Sequence, residues 1–278
     1  MMKGGLNRPF LMEYQILNIA HRGASEYLPD NTIESFDRAL VEKADMIELD
    51  VRKTADGELV LFHDWYVRTE PRSLPDLSIP TPISHIRFED LQDHCEIEGF
   101  RLATLKEVLE RYNDRIYINI ELKAGGYERE VIDLVNKFDL ADQVVLSSFF
   151  PWVLKKIKDI DAGIKAGWII GQEQVVLLNR LGRLFVYLLF KITEADSAHL
   201  HYEMVTPNVI KHFHARQIPI YTWTVNRIDV MKRLIEMGVD GIITDRPAVL
   251  NSILKQEIDS RMAIEFSGAK LATSGEKA

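Results

Sequence analysis

Two carboxylates occupy alternate positions of one apolar run, Ile47-Glu48-Leu49-Asp50-Val51. Alternate residues of a β-strand point to the same face, so Glu48 and Asp50 should lie side by side. Unpaired carboxylates in apolar surroundings are costly, and a divalent cation bound by oxygen ligands compensates for them. A pair of buried salt bridges is the alternative that this stretch alone leaves open.

A third carboxylate, Glu121, ends a second apolar run that covers residues 116–120. If both runs are parallel strands of one barrel, Glu121 lies at the same rim as Glu48 and Asp50. Three convergent carboxylates favour Mg²⁺ or Ca²⁺. Zinc fits less well because the set contains no thiolate and needs no histidine.

Two cations follow these strand candidates at short distance. Arg22 lies in the triplet His21-Arg22-Gly23, and Lys123 comes two residues after Glu121. The planar fork of arginine matches phosphate oxygens, and lysine adds a compact positive charge. The simpler alternatives are a surface charge for Arg22 and an ion pair with Glu121 for Lys123.

Two histidines end apolar runs in the same way. His21 follows the first run, and His63 follows Leu59-Val60-Leu61-Phe62, directly before Asp64. A histidine pair facing one cavity supplies a base and an acid near neutral pH. For the other six histidines we expect surface or packing roles: His85, His94, His199, His201, His212 and His214.

Eight short, nearly continuous apolar runs alternate with longer amphipathic stretches along the chain. This pattern is typical of parallel strands that are covered on both faces and joined by helices. It predicts an α/β fold, a (β/α)8 TIM barrel, with a doubly wound open sheet as the alternative. The runs are Ile16–Ala20, Met46–Val51, Ile116–Glu121, Val144–Ser148, Gly163–Ile169, Ser197–His201, Pro219–Thr224 and Gly241–Thr244.

Local signals place several helix starts and one interruption. We expect helices to begin after Asn31, after Thr104 and at Thr206-Pro207. The proline-rich segment Trp65–Arg101 lacks clear strand pairs and predicts a small excursion over the barrel mouth, between the second and third barrel strands. We expect residues 1–278 to form one barrel domain with a core at about 16–258.

The charge balance and the single cysteine limit the class of protein. The chain has 34 Lys and Arg against 42 Asp and Glu, a formal net charge of −8, which argues against a broad nucleic-acid-binding face. Cys95 has no second cysteine in the chain with which to form a disulfide. The N-terminal residues lack the apolar core of a secretory signal, and we therefore expect a cytoplasmic protein.

The stretch Val175–Phe190 is more apolar than a barrel crossover requires. Asn179, Arg180 and Gly182 interrupt it, so it is not a credible membrane span. One interpretation is a buried barrel helix. The alternative is peripheral contact of 175–190 with a membrane or an acyl chain, which would make a lysophospholipid the substrate.

Several motifs, taken together and in order, resemble the glycerophosphodiester phosphodiesterase family. They extend from about Ile19 to Pro247. One departure is Asp30, where family members commonly carry a glutamate before the Asn-Thr pair, which would shorten a contact at the rim. The matching stretches are His21-Arg22-Gly23, Asn31-Thr32 with Phe36, Glu48-Leu49-Asp50-Val51, Thr54-Ala55-Asp56-Gly57, His63-Asp64, Glu121-Leu122-Lys123, Ser147-Ser148-Phe149, Trp223-Thr224-Val225-Asn226 and 238–245.

The resemblance implies a barrel enzyme that hydrolyses small glycerophosphodiesters to an alcohol and glycerol 3-phosphate with a divalent metal, Mg²⁺ or Ca²⁺. It also implies roles for particular residues. The metal ligands would be Glu48, Asp50 and Glu121, the catalytic pair His21 and His63, and the substrate contacts Arg22, Lys123 and Trp223.

The order of proton transfer and the substrate stay open at this point. We favour His21 as the base and His63 as the acid, and either water or a glycerol hydroxyl could attack. A lysophospholipase-D-like reaction is the main alternative. A non-catalytic phosphate-binding barrel would require the loss of site residues, whereas all five metal and histidine positions are present.

Overall fold

The computed structural model describes residues 16–67, 80–171 and 183–259. Strands and helices are numbered here in chain order within these ranges. The described strands are β1 (Leu17–His21), β2 (Met46–Lys53), β3 (Leu59–Leu61), β4 (Tyr66–Val67), β5 (Thr81–Pro82), β6 (Tyr117–Leu122), β7 (Val144–Ser148), β8 (Lys165–Ile170), β9 (Ser197–His201), β10 (Ile220–Trp223) and β11 (Gly241–Thr244).

Helices fill most of the connections between the parallel strands. The described helices are α1 (Ile33–Val41), α2 (Phe88–Ile97), α3 (Leu105–Tyr112), α4 (Glu128–Lys137), α5 (Pro151–Ile160), α6 (Arg183–Thr193), α7 (Pro207–His214), α8 (Ile228–Met237) and α9 (247–259). None of these is long and apolar enough to cross a lipid bilayer.

Eight parallel strands close into a barrel. Their order is β1-β11-β10-β9-β8-β7-β6-β2, and β1 also pairs with β2, so the ring has no open edge. The predicted (β/α)8 barrel is therefore confirmed, and the open-sheet alternative is wrong. All eight predicted runs coincide with barrel strands to within a few residues at their ends.

Apolar and acidic residues alternate along β2 because one face of the strand packs against the helices and the other faces the barrel interior. Ile47, Leu49 and Val51 belong to the large apolar cluster between the strands and the helices. Glu48 and Asp50 therefore point into the barrel. The interior beneath them is filled by a small apolar cluster of Ile19, Met46, Val145, Tyr221 and Ile243.

Helix starts follow side-chain capping, with one correction to the sequence-based expectation. Thr104 caps α3 in a reciprocal capping box with Glu107, and Thr206 caps α7 as predicted. The helix α1 was predicted to begin directly after Asn31, but it begins one residue later, at Ile33, with Thr32 as its N-cap. Asn31 instead has a left-handed backbone, with φ of 57°.

The excursion between the second and third barrel strands builds a core of its own. β3 pairs antiparallel with β2, and Val60, Leu91 and Cys95 meet in a separate apolar cluster. The expectation that this segment lacks strand pairs is wrong in one place, because β4 pairs with β5. This pair is only two residues long, too short to produce a sequence pattern.

The stretch Val175–Phe190 is described only at its end. Residues 172–182, including Leu177 and Leu181, lie outside the described ranges. Phe190 is buried and packs against Trp168 and Phe213, with ring centroids 5.0 and 5.2 Å apart. This end of the stretch therefore contributes to the barrel core.

Candidate active site

The predicted site residues meet at the C-terminal ends of β1, β2 and β6, which are neighbours in the barrel. The register pairs His21 with Glu48 and Asp50 with Glu121, so their Cα atoms lie level across adjacent strands. An inner cavity of about 120 Å³ opens there. Seven of the eight predicted residues line it: His21, Arg22, Glu48, His63, Glu121, Lys123 and Trp223.

The three carboxylates converge as the sequence predicts. One ligand oxygen from each of Glu48, Asp50 and Glu121 lies within 4.8 Å of the others, and all three residues are buried. Asp50 also makes ion pairs with Arg22 Nε at 2.9 Å and Lys123 Nζ at 2.8 Å, and Lys123 lies 2.7 Å from Glu121. Glu48 accepts a hydrogen bond from the Arg22 backbone N–H at 3.0 Å.

The cluster has one more carboxylate than side-chain cations. Burial and the negative charge of Asp50 raise the pKa of Glu48 to about 7. Burial also raises the pKa of Glu121. Although burial opposes ionisation of Asp50 as well, Lys123 and Arg22 hold its pKa well below the usual range. Three carboxylates face two side-chain cations, and a divalent cation with oxygen ligands fits this excess of negative charge.

The loop after β1 is shaped to bring its polar groups to Asp50. Asn31 donates to the Asp50 carboxylate at 2.9 Å and accepts from its backbone N–H at 3.0 Å. Arg22 and Asn31 both have left-handed backbones, with φ of 53° and 57°. At Gly23, with φ of 89°, a Cβ would lie 2.3 Å from Ser35 Oγ, so only glycine fits between Arg22 and α1.

Asp30, the departure from the family pattern, is part of this loop. Its carboxylate lies 2.7 Å from Arg22 Nη1, while Arg22 Nε contacts Asp50. The guanidinium is therefore held between two carboxylates. These charges and that of Glu48 raise the pKa of Arg22 despite its burial, and its planar group is fixed at the cavity wall.

His21 is held by a carboxylate from the last barrel strand. Its Nδ1 lies 2.6 Å from Asp245 Oδ1. Asp245 also accepts hydrogen bonds from Ser25 Oγ at 3.0 Å and from Asn226 Nδ2. Burial opposes protonation of His21, but the bond to Asp245 and the charge of Glu48 raise its pKa above the usual value.

His63 is held differently. Its Nδ1 lies 2.7 Å from Asp64 Oδ1, and its backbone carbonyl accepts bonds from Arg52 Nε at 3.1 Å and Nη2 at 2.6 Å. Burial and the positive charges of Lys123 and Arg22 lower the pKa of His63. The two histidines at the cavity thus have pKa values that are shifted in opposite directions.

Sequence reasoning gave no role to several residues that touch this site. Asn226 and Asp245 stand in the matched stretches Trp223–Asn226 and 238–245, but their roles depend on the meeting of the first and last strands, which those stretches do not reveal. His199 was expected only in a surface or packing role. It is buried against Tyr221, with its pKa lowered by burial to about 3, and it also lines the inner cavity. The polar alternation Ser197-Ala198-His199 within a strand was an available signal.

A second, larger cavity of about 760 Å³ lies outside the first. Both cavities are bordered by His63, Glu121, Lys123, Phe149 and Trp223, so they form one continuous opening. The Trp223 ring is fixed by its Nε1 donation to the His199 carbonyl at 3.0 Å and by edge-to-face contact with Phe149. This outer cavity has walls made largely of aromatic rings.

Comparison with known proteins gives one consistent result. The profile of the family described as "Glycerophosphoryl diester phosphodiesterase family" matches residues 21–249. A "Glycerophosphodiester phosphodiesterase" from Caldanaerobacter subterraneus subsp. tengcongensis is 33% identical over 252 residues, covering 86% of this chain and 98% of the relative. The resemblance found in the sequence and the expectation of a phosphoric diester hydrolase are therefore confirmed.

Two more distant similarities extend the comparison. The human "Lysophospholipase D GDPD3" is 23% identical, covering 90% of both chains. A solved Oleispira antarctica phosphodiesterase, in complex with the product sn-glycerol-3-phosphate, superposes with a TM-score of 0.68 at 22% identity. It covers 85% of this chain and 96% of that one, and at this identity it supports the barrel fold alone.

Proposed function

Because the chain belongs to the glycerophosphoryl diester phosphodiesterase family, we propose that it hydrolyses small glycerophosphodiesters to an alcohol and glycerol 3-phosphate. The observation that carries this proposal is the convergence of three buried carboxylates and two carboxylate-bound histidines on one cavity. A phosphodiester resists attack because it is anionic and because its alkoxide is a poor leaving group. The site contains groups that address both problems.

Charge on the phosphoryl group is the first problem. Arg22 and Lys123 line the inner cavity and would contact the phosphoryl oxygens, with Trp223 forming a wall beside them. Glu48, Asp50 and Glu121 would hold the divalent metal, Mg²⁺ or Ca²⁺, which when bound supplies further stabilisation of charge on those oxygens. The buried ion pairs of Asp50 keep that carboxylate ionised and ready to bind a cation.

Proton transfer is the second problem, and the two histidines would divide it. His21 takes a proton from the attacking oxygen, and the Asp245 carboxylate stabilises the imidazolium that forms. His63 borders both cavities and gives its proton to the leaving oxygen, whose bond to phosphorus breaks as the new one forms. These roles are assigned by position, because His63 borders both cavities whereas His21 lines only the inner one, and not by the pKa shifts, which make His21 the more readily protonated of the two.

The attacking oxygen belongs either to water or to the neighbouring glycerol hydroxyl. Attack by water gives glycerol 3-phosphate in one step, whereas attack by the hydroxyl gives a cyclic phosphate that water then opens. Single-turnover reactions followed by phosphorus NMR distinguish the two. A transient cyclic phosphate signal supports attack by the hydroxyl.

A lysophospholipase-D-like reaction is the second candidate. Leu188 and Ile192 lie one turn apart on α6 and are exposed, with 45% and 57% of their surface accessible. This pair would contact an acyl chain or the surface of a membrane. The human relative named above carries that activity in its name. Replacing both residues with serine should then raise KM for lysophosphatidylcholine micelles and leave KM for glycerophosphocholine unchanged.

The single cysteine, Cys95, supports placing the protein in the cytoplasm.

An activity panel tests the proposed function directly. The substrates are glycerophosphocholine, glycerophosphoethanolamine, glycerophosphoinositol and lysophosphatidylcholine, each with Mg²⁺ or Ca²⁺, and the readouts are released alcohol and phosphate ester. We expect turnover of the small diesters with release of glycerol 3-phosphate. Turnover of none of the four with either metal would contradict the proposal and favour a phosphate-binding role.

A further inference from the structure

We propose that the outer cavity is a head-group subsite for a cationic amino alcohol, a quaternary or primary ammonium attached to the leaving oxygen. This inference rests on the proposed function and adds a substrate class to it. Such a diester would be preferred over one whose alcohol is a neutral polyol. The argument comes from the walls of the cavity, its exposed charge and its position beside His63.

The walls of the outer cavity are aromatic. Two tryptophans, one tyrosine and two phenylalanines line it, beside the imidazoles of two histidines: Trp65, Trp223, Tyr66, Phe149, Phe150, His63 and His201. Trp65 and Tyr66 are each 50% exposed. The rings of Trp65 and Phe150 are inclined at 73° with centroids 6.5 Å apart. Ring faces attract a cation within about 6 Å, most strongly when the ring is tryptophan.

Trp65 is held in a fixed orientation although it is half exposed. The guanidinium of Arg52 lies over one face of the Trp65 ring, 4.4 Å from its centroid. Arg52 is buried and donates twice to the His63 carbonyl. One side chain thus supports both the histidine and the tryptophan, and the second face of Trp65 is turned away from Arg52. A preorganised ring binds a ligand without a further cost of ordering it.

Among the described charged side chains that line this cavity, the Asp64 carboxylate is the most exposed, at 71%. One of its oxygens lies 2.7 Å from His63 Nδ1. Lys123 is 10% exposed and paired with Asp50 and Glu121, while Arg52 is covered by Trp65. A ligand entering the outer cavity therefore meets ring faces and a carboxylate, which complement a cation and oppose an anionic head group. The Asp64 carboxylate also disfavours an acyl chain in this cavity, because apolar contact would remove water from the charged group.

The position of the cavity connects it to the leaving group. The phosphate would lie at Arg22 and Lys123 in the inner cavity, and His63 borders both cavities. When the leaving oxygen lies at His63, the alcohol attached to it extends outward along the aromatic wall that Trp65 and Phe150 form together. The glycerol phosphate half stays inside.

Substitution of Trp65 tests the subsite. Trp65→Leu keeps an apolar side chain but removes the aromatic ring. Trp65→Phe keeps an aromatic ring that is smaller than that of tryptophan. We expect Trp65→Leu to raise KM for glycerophosphocholine about tenfold while changing KM for glycerophosphoglycerol less than about twofold. Trp65→Phe should recover most of the loss. Trp152→Leu is the matched control, because Trp152 is 64% exposed and contacts Phe150 but is not among the described residues that line either cavity.

A binding measurement separates this inference from the proposed function. Choline titrated into the wild-type protein should bind in a calorimeter, and Trp65→Leu should weaken that binding about tenfold without lowering the melting temperature. Equal changes in KM for both diesters, or an effect confined to lysophosphatidylcholine, would overturn the cationic subsite while leaving phosphodiester hydrolysis intact. If the wild-type protein hydrolysed none of the diesters, that result would instead contradict the proposed function. Choline binding would then still test the subsite.

Discussion

The imidazole of His21 and the carboxylate of Asp245 lie 2.6 Å apart, although 224 positions separate them in the chain. Asp245→Asn removes the negative charge that would stabilise a protonated His21. It also replaces one carboxylate oxygen, a hydrogen-bond acceptor, with an amide NH₂ group, which donates. We expect kcat to fall roughly 10²- to 10⁴-fold with little change in KM. Steady-state kinetics on a small glycerophosphodiester measures both values.

Ser25→Ala is the control for this variant. The Ser25 hydroxyl also donates to Asp245, at 3.0 Å, and to the backbone carbonyl of His21, at 2.8 Å, whereas the His21 imidazole is bonded to Asp245. Its loss should cost less than about tenfold in kcat, because Asp245 keeps its charge and its bonds to His21 and Asn226. If Asp245→Asn behaved like Ser25→Ala, Asp245 would have no special role in positioning His21.

Removal of either histidine should abolish most turnover. His21→Ala and His63→Ala are each expected to lower kcat by about 10² to 10⁴, the usual contribution of one general acid or base. Thermal melting of the variants should stay close to that of the wild type. His85→Ala, at an exposed position, serves as the control. Near-native turnover in either site variant would return that histidine to a structural role.

The carboxylate cluster predicts dependence on a divalent metal. A chelator should remove activity, and Mg²⁺ or Ca²⁺ should restore it, because Glu48, Asp50 and Glu121 offer an all-oxygen site. Glu48→Gln should weaken metal binding, measured by the metal-induced rise in melting temperature. Glu34→Gln, an exposed change of the same type, should leave that rise unaltered. Full activity after exhaustive chelation would contradict this prediction.

Two glycines with the same backbone conformation provide a matched pair for steric strain. Gly23 and Gly99 both have φ of 89°, but a Cβ at Gly23 would meet Ser35 Oγ at 2.3 Å, whereas none of the described atoms lies within 4 Å at Gly99. Both alanine variants bear the left-handed penalty of about 1 to 2 kcal/mol. Gly23→Ala should lose a further ~1 to 3 kcal/mol of unfolding free energy in urea titrations. Equal losses would mean that the loop after β1 moves aside easily.

Cys95 should be inert in the folded protein. It is buried in the apolar cluster of the excursion, and burial together with the charge of Glu98 raises its pKa to about 12. Because the thiolate is the reactive form, its population stays small until the pH approaches that value. Ellman's reagent at pH 8 should therefore label Cys95 only after denaturant is added. Rapid labelling of the native protein would indicate that the excursion opens readily.

The barrel could be read from the sequence because its strands are buried on both faces. Continuous apolar runs such as Val144–Ser148 stand out against the amphipathic helices between them. The excursion could not be read in the same way. Its pairings are two or three residues long, and its core around Val60 and Leu91 forms from residues that no common period connects.

The site was predictable wherever strand alternation controls it. Glu48 and Asp50 share a face because they are two residues apart, and Glu121 joins them through the register of parallel strands. The contacts of Asn31 with Asp50 depend instead on a left-handed turn, which sequence patterns do not specify. The Asp245 contact depends on closure of the ring, a property of the whole chain.

The charged groups at the cavity come mainly from β1, β2, β6 and the segments that follow them, so they occupy one arc of the ring. The opposite arc supplies mostly ring and packing surfaces, among them Ile169 on β8, His199 on β9 and Trp223 on β10. The strands of that arc supply none of the residues proposed as metal ligands or proton carriers. Their side chains can therefore reshape the wall that faces the phosphate while the groups proposed for the chemistry stay unchanged.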